Sequence, residues 1–244
     1  MRGTLAVFKR EFAAYFATPV AYVFIVIFLF AMGAFTFYIG HFYENGTADL
    51  SVFFGYHPWL YLFLVPAIGM RLWAEEWRNG TIELLLTLPI PIWASVLGKF
   101  LAAWAFTGVA LFLTFPIWIT VNFLGSPDNG VIVASYIGSF LMAGGYLAIS
   151  TALSATTTNQ VIAFVVSVVV CFLFTVSGAP LVVNFFKGWA PAALIDTVSS
   201  FSFLTHFQAI STGVVDARDL IFFVSLIALF LGINVTLIDL KKTS

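Results

Sequence analysis

The chain has 244 residues, of which 61% are hydrophobic and only 9% charged, and its formal net charge is −1. A soluble domain carries roughly a quarter charged residues, so no water-facing surface can be built from this composition, and the apolar surface calls for lipid as its solvent. The near-zero charge supplies no field to attract nucleic acid, and a single cysteine, Cys171, leaves neither an internal disulfide nor a CxxC metal site.

Residues 1–17 come first. Leu5, Phe8, Phe12, Tyr15 and Phe16 recur at helical spacing opposite Lys9, Arg10 and Glu11, the pattern of an amphipathic helix lying in the membrane interface. Thr18 and Pro19 break it, because the residue before proline is pushed out of the α region and proline suits a helix start. The apolar run that follows is too long for a signal peptide and lacks an A-x-A site, so it reads as a retained first span. Apolar segments then fall at about 20–40, 58–74, 100–124, 131–153, 161–183 and 220–239. At about 20 residues per crossing, the expectation is an all-α integral membrane protein with six transmembrane helices in a single domain, 1–244. Two connections stand out, a cytoplasmic segment at 75–91 and an outer connection at 184–219. The latter is too apolar to be held in water and is expected to dip into the membrane.

Lysine and arginine placement orients the chain. Arg2, Lys9, Arg10, Arg71, Arg78, Lys99, Lys241 and Lys242 fall on one side, while Lys187 and Arg218 fall on the other. Both termini are therefore expected in the cytoplasm. Trp59, Trp118, Tyr38, Tyr43, Tyr56 and Tyr61 lie near the outer span ends and are read as headgroup anchors.

The spans are expected to hold no ionisable group: Arg71 and Asp239 sit at span ends within snorkelling reach of water. Coupling to an ion gradient needs a group that binds and releases the ion, so a secondary transporter is disfavoured. No phosphate loop is present either, since Gly98-Lys99 is followed by Phe100 and has Trp93 where the first glycine belongs. His41, His57 and His206 are scattered on the outer side and form no catalytic or metal constellation, so their expected role is structural. The chain is read as no enzyme and as binding no cofactor itself. Its driving force must come from a partner. A membrane anchor for a soluble complex, or a channel, answers to the same composition.

The segment that meets such a partner is sought at 75–91. Asn79-Gly80 ends a helix with a left-handed cap, Glu83 favours the start of the next one, and Pro89 with Pro91 closes it after about two turns. Ile82, Leu84, Leu85, Leu86 and Leu88 leave only Thr81, Glu83 and Thr87 as a polar strip. A surface of this kind is covered either by the headgroup region and neighbouring helix ends or by a groove on a soluble partner, and the residues alone do not choose between these.

This stretch resembles the coupling segment of ABC-2-type transporter permeases, on Glu75, Glu76, Gly80, Thr81, Glu83, Leu84 to Leu86, Pro89 and the downstream Lys99. Ser154 to Phe164 resembles the polar turn between the fourth and fifth spans, although Thr156 to Asn159 stand where the family often has a basic residue. Ser202 to Phe207, Gly213 and Asp216 to Asp219 resemble the approach to the last span. In order, these motifs are similar to the gliding-motility-associated branch of bacterial permeases. The resemblance implies a multi-pass subunit of the bacterial plasma (inner) membrane, paired with a second identical or related permease and with two cytoplasmic ABC ATPase subunits that hold ATP and magnesium. It also implies short re-entrant outer helices, a possible extracytoplasmic auxiliary subunit, alternating access and export. The coupling residues it implies are Glu75, Glu76, Gly80, Thr81, Ile82, Glu83, Leu85, Leu86 and Pro89, with Ile82, Leu85 and Leu86 docking and Glu76 and Glu83 offering charge. The substrate stays open.

Overall fold

The computed structural model describes residues 2–44, 46–87, 89–187 and 190–243, without the side chains of Arg2, Leu86, Lys242 and Thr243, and every regular element among them is helical. Helix α1, Arg2–Ala17, stops at Thr18, whose φ of −113° and ψ of 141° are extended, and Pro19 opens α2, Pro19–Gly33. This helix runs on as a π-helical stretch, Ala34–Ile39, which ends with the Gly40 amide donating to the Phe35 carbonyl at 2.7 Å. Next come α3, Ser51–Gly55, α4, His57–Gly69, α5, Arg71–Asn79, and α6, Thr81–Thr87. Then follow α7, Ile92–Phe112, α8, Phe115–Leu124, α9, Asn129–Ser154, and α10, Gln160–Val176. The last four are α11, Pro180–Lys187, α12, Ala192–Ser199, α13, Phe203–Ser211, and α14, Ala217–Thr243.

Among the described residues, four helical stretches are long and apolar enough to cross a membrane: Pro19–Ile39, Ile92–Leu124, Asn129–Ser154 and Ala217–Lys241. A fifth results if α10 and α11, bent by 72°, are one span. The second expected span, 58–74, is instead broken at Met70, and its apolar part, α4, has 13 residues. At about 1.5 Å per residue that is about 20 Å, short of a hydrocarbon core of about 30 Å.

The break has a local cause. Ser154 Oγ donates to the Met70 carbonyl at 2.8 Å and accepts from the amides of Trp73 and Ala74 at 3.1 and 3.0 Å. Its hydroxyl thus stands between the Met70 carbonyl and the Ala74 amide, which would otherwise bond to each other, and an inserted side chain is a recognised cause of helix breaks. The fifth expected span, 161–183, ends early at Val176 because Pro180 disfavours helix at Ala179 and starts α11 in a new direction.

Helix α9 is the centre of the bundle, packing against α4, α7, α10, α13 and α14. Ala143, Gly144, Gly145 and Ala148 keep its middle slim enough for such close neighbours. Its buried hydroxyls are satisfied within the helix or across it: Ser150 and Thr151 donate to the carbonyls of Tyr146 and Leu147, and Ser139 meets Tyr61 at 2.9 Å and His57 Nδ1 at 3.2 Å. Tyr61 is therefore a core residue, 1% exposed, and not the headgroup anchor its position suggested, whereas Tyr38, Tyr43 and Trp59 are exposed.

Helix α1 does more than lie in the interface, for it packs along α7. Tyr15 stacks on Phe106 with ring centroids 4.8 Å apart, and Val7 is buried against Gly98, where a methyl group would come within 2.8 Å of the valine side chain. Large apolar side chains such as Phe30, Phe123 and Leu181 remain exposed, as a lipid-covered surface requires.

Candidate functional site

The chain reverses between α5 and α6 at Gly80, whose φ of 70° is left-handed. A side chain there would be strained, which is why glycine ends α5. Glu83 occupies the first turn of α6. Of the apolar positions on this short helix, Ile82 and Leu85 are buried in the protein's own core while Leu84 is 70% exposed. The expected docking face is thus divided. Ile82 and Leu85 anchor α6 to the bundle rather than facing outward, and its exposed side carries Thr81, Glu83, Leu84 and Thr87. Pro89, beyond the helix, is also exposed, whereas the side chain of Leu86 and the whole of Leu88 lie outside the described residues.

A buried cation ties this region together. Lys99, on α7, is 2% exposed, and its Nζ lies 2.7 Å from Glu76 Oε1 on α5, 3.1 Å from Glu11 Oε1 on α1 and 5.4 Å from the centre of the Trp73 ring. An ammonium carries three donors, and two are used on carboxylates while the charge also faces an aromatic ring. Thr81 at the start of α6 donates to the other Glu76 oxygen, Oε2. Arg10 pairs with Glu11 at 2.6 Å and Arg71 with Glu75 at 3.1 Å. Burial pushes the Glu76 carboxyl up, but the Lys99 charge, the hydrogen bonds from Lys99 and Thr81 and the charge of Arg10 outweigh it and hold it below its ordinary value.

These groups surround a cavity of about 630 Å³ between α1, α5 and α6, with Lys99 on its wall. Glu75, Glu76, Thr81 and Leu85 of the expected coupling residues line it, and Ile82, Glu83 and Pro89 do not. Lys99 lies near the start of the helical stretch Ile92–Leu124, whose 33 residues exceed the roughly 20 that one crossing needs. Its burial follows from α7 starting at Ile92, after the extended Pro91.

Two further ties gather helix ends here. Asn159 Oδ1 caps α10 by accepting from the amides of Val161 and Ile162. Lys241, from α14, donates to the carbonyls of Ala155 and Thr156 at 3.0 Å each and sits 4.7 Å from the Trp77 ring. The turn after α9 has no basic residue of its own, and one arrives from the last helix.

At the other end of the bundle, His206 and Asp219 are both buried, with Nδ1 and Oδ1 2.6 Å apart, and His206 Nε2 donates to the Ser200 carbonyl at 2.9 Å. Asp219 lies in the first turn of α14, at the start of the apolar stretch Ala217–Lys241. The pair bolts α13 to α14, and Ser202 caps α13 while donating to the Thr175 carbonyl of α10. Among the described residues no group of histidine, cysteine or carboxylate side chains has the arrangement of a metal site.

The family described as ABC-2 family transporter protein matches residues 5–238 of this chain. Heme exporter protein B of Rhodobacter capsulatus is 36% identical over 70 residues, covering 28% of this chain and 32% of that protein. Heme exporter protein B of Paracoccus denitrificans is 34% identical over 67 residues, covering 28% of this chain and 31% of that protein. The matched stretch thus spans about a third of the length of these relatives. Neither is a gliding-motility protein, so that finer resemblance rests on the motifs alone.

Proposed function

This chain belongs to the ABC-2 family of transporter proteins, and on that premise we propose that it is the membrane-spanning subunit of an ATP-driven exporter whose work is supplied by separate cytoplasmic ATPase subunits. The observation that carries the coupling reading is the Lys99 tie, which links the base of α6 through Glu76 to α7 and through Glu11 to α1. A force applied to α6 is borne by three other helices at once. The exposed strip of Glu83 and Leu84 meets the ATPase, while Ile82, Leu85 and the Glu76–Lys99 pair pass the displacement on. Glu75, Gly80, Thr81, Leu86 and Pro89 shape the same segment.

On this reading the chain crosses a bacterial inner membrane six times, α4 and the first turn of α5 serving as the second crossing, with the cation-rich ends of the helices and both termini in the cytoplasm. It works beside a second permease copy or a related permease, and α11 to α13 form the outer re-entrant layer, open to an extracytoplasmic auxiliary subunit. ATP and magnesium stay with the ATPase. Export is the direction carried by the names of the two relatives; their cargo is not transferred on a stretch covering 28% of this chain. The test is reconstitution in liposomes with the ABC ATPase that co-purifies with the chain. Leu84→Asp is expected to abolish ATP-driven export and ATPase recruitment while leaving membrane insertion intact. Undiminished export by that variant would overturn the docking assignment.

A further inference from the structure

The cavity beside Lys99, walled on one side by Leu84 and Leu85 of α6, has a charged rim. On α1 its wall carries Arg10, Tyr15 and Thr18, and on α5 it carries Arg71 and Glu75. The two arginine side chains are 56% and 38% exposed. Arg10 commits one Nη2 contact to Glu11, and Arg71 commits its Nε to Glu75. A guanidinium has five N–H donors in a fork suited to phosphate oxygens, so both keep donors for an anion in the cleft.

We propose that this cleft is a binding site for a resident phospholipid with a phosphoethanolamine headgroup, its phosphate between Arg10 and Arg71 and its primary ammonium on Glu75. Three observations select this class. The walls bear three cations, Arg10, Arg71 and Lys99, and three carboxylates, Glu11, Glu75 and Glu76, so the site as a whole attracts a zwitterion rather than a net anion. Glu75 is 34% exposed and accepts from Arg71 Nε through Oε2. Its acceptor capacity exceeds that bond and suits an ammonium with N–H donors, which a choline headgroup lacks. The mouth adjoins an apolar stretch, because Thr18 lines the cavity and Pro19–Ile39 starts at the next residue, with Val20 and Val23 exposed beside it as a surface for acyl chains. A volume of about 630 Å³ falls within the range of roughly 300–1,000 Å³ that small-molecule sites occupy.

The full chain is to be purified into nanodiscs made from equal parts phosphatidylethanolamine, phosphatidylcholine and phosphatidylglycerol, and the lipids retained after detergent exchange identified by native mass spectrometry. The wild type is expected to retain phosphatidylethanolamine selectively. Arg71→Gln should weaken retention about tenfold, the loss of one charge-assisted contact, and Arg10→Gln, on the more exposed wall, gives the same reading if Arg71→Gln does not fold. Glu75→Gln should erase the preference for ethanolamine over choline while phospholipid is still held. Equal retention of the three lipids by the wild type, or undiminished retention in both arginine variants, would overturn the site. Displacement of the lipid by soluble glycerophosphoethanolamine at equal concentration would overturn the lipid as its source.

Discussion

The Lys99 ammonium is held 2.7 Å from Glu76, a residue two helices earlier in the chain, with 3% of the lysine side chain and 18% of the glutamate side chain exposed. Removing one partner from a buried pair leaves the other charge without compensation, which costs about 3–5 kcal/mol. Lys99→Met is therefore expected to lower the melting temperature in detergent sharply, since Glu11 and Glu76 are then left facing each other. Glu76→Gln should cost less, because Glu11 remains on the ammonium. Equal melting temperatures for wild type and Lys99→Met would show that the tie carries no load.

The same pair sets an acid limit. The Glu76 carboxyl is held below its ordinary value in the folded chain, so the stability it adds is fully present above the unfolded glutamate pKa of about 4.3. It is lost as pH falls through the depressed folded value. Thermal melting is expected to be insensitive to Glu76 ionisation between about pH 6 and pH 8 and to weaken on further acidification. Glu76→Gln should flatten that acid limb, and an unchanged limb in the variant would assign it to other carboxylates.

Neighbouring leucines on α6 are expected to behave oppositely. Leu85 is 7% exposed and Leu84 is 70% exposed. Leu85→Asp buries a carboxylate in the protein's own core and should prevent accumulation of folded protein. Leu84→Asp should fold and insert normally yet lose ATPase recruitment. Size-exclusion profiles for folding and co-purification for recruitment separate the two, and identical behaviour would erase the division of the helix into an anchored and a docking side.

Ser154 offers a polar counterpart. Ser154→Ala leaves the Trp73 and Ala74 amides and the Met70 carbonyl without this partner, and an unsatisfied buried group costs about 1–3 kcal/mol. Relaxation of the helix to rejoin Met70 with Ala74 would recover part of the loss. Amide exchange at Trp73 should accelerate, and protection equal to that of the wild type would mean that the ladder had closed without the hydroxyl.

Much of this architecture is legible in local chemistry. Thr18-Pro19, Asn79-Gly80 and the Pro89–Pro91 stop mark chain breaks through backbone geometry alone, and the family was readable from ordered motifs. What escaped depends on contacts between distant residues. Lys99 reads as one more cytoplasmic-side cation until Glu11 and Glu76 are brought to it, and Tyr61 looks like a belt residue until Ser139 meets its hydroxyl. The buried Asp219 could have been found from His206 thirteen positions earlier, but that spacing suggests no contact unless α13 turns back onto α14. Ile82 and Leu85 shared a leucine-rich run with Leu84, and composition does not say which side of so short a helix meets its own bundle.

The hydroxyl lodged between Met70 and Ala74 also bears on how such chains can be recombined. A chimaera that exchanges residues 57–91 for the corresponding piece of a relative would carry the coupling region across but leave its splint behind on α9. Grafts of that region should succeed only when position 154 travels with them or already bears a serine in the recipient, so the practical unit of exchange is discontinuous in sequence.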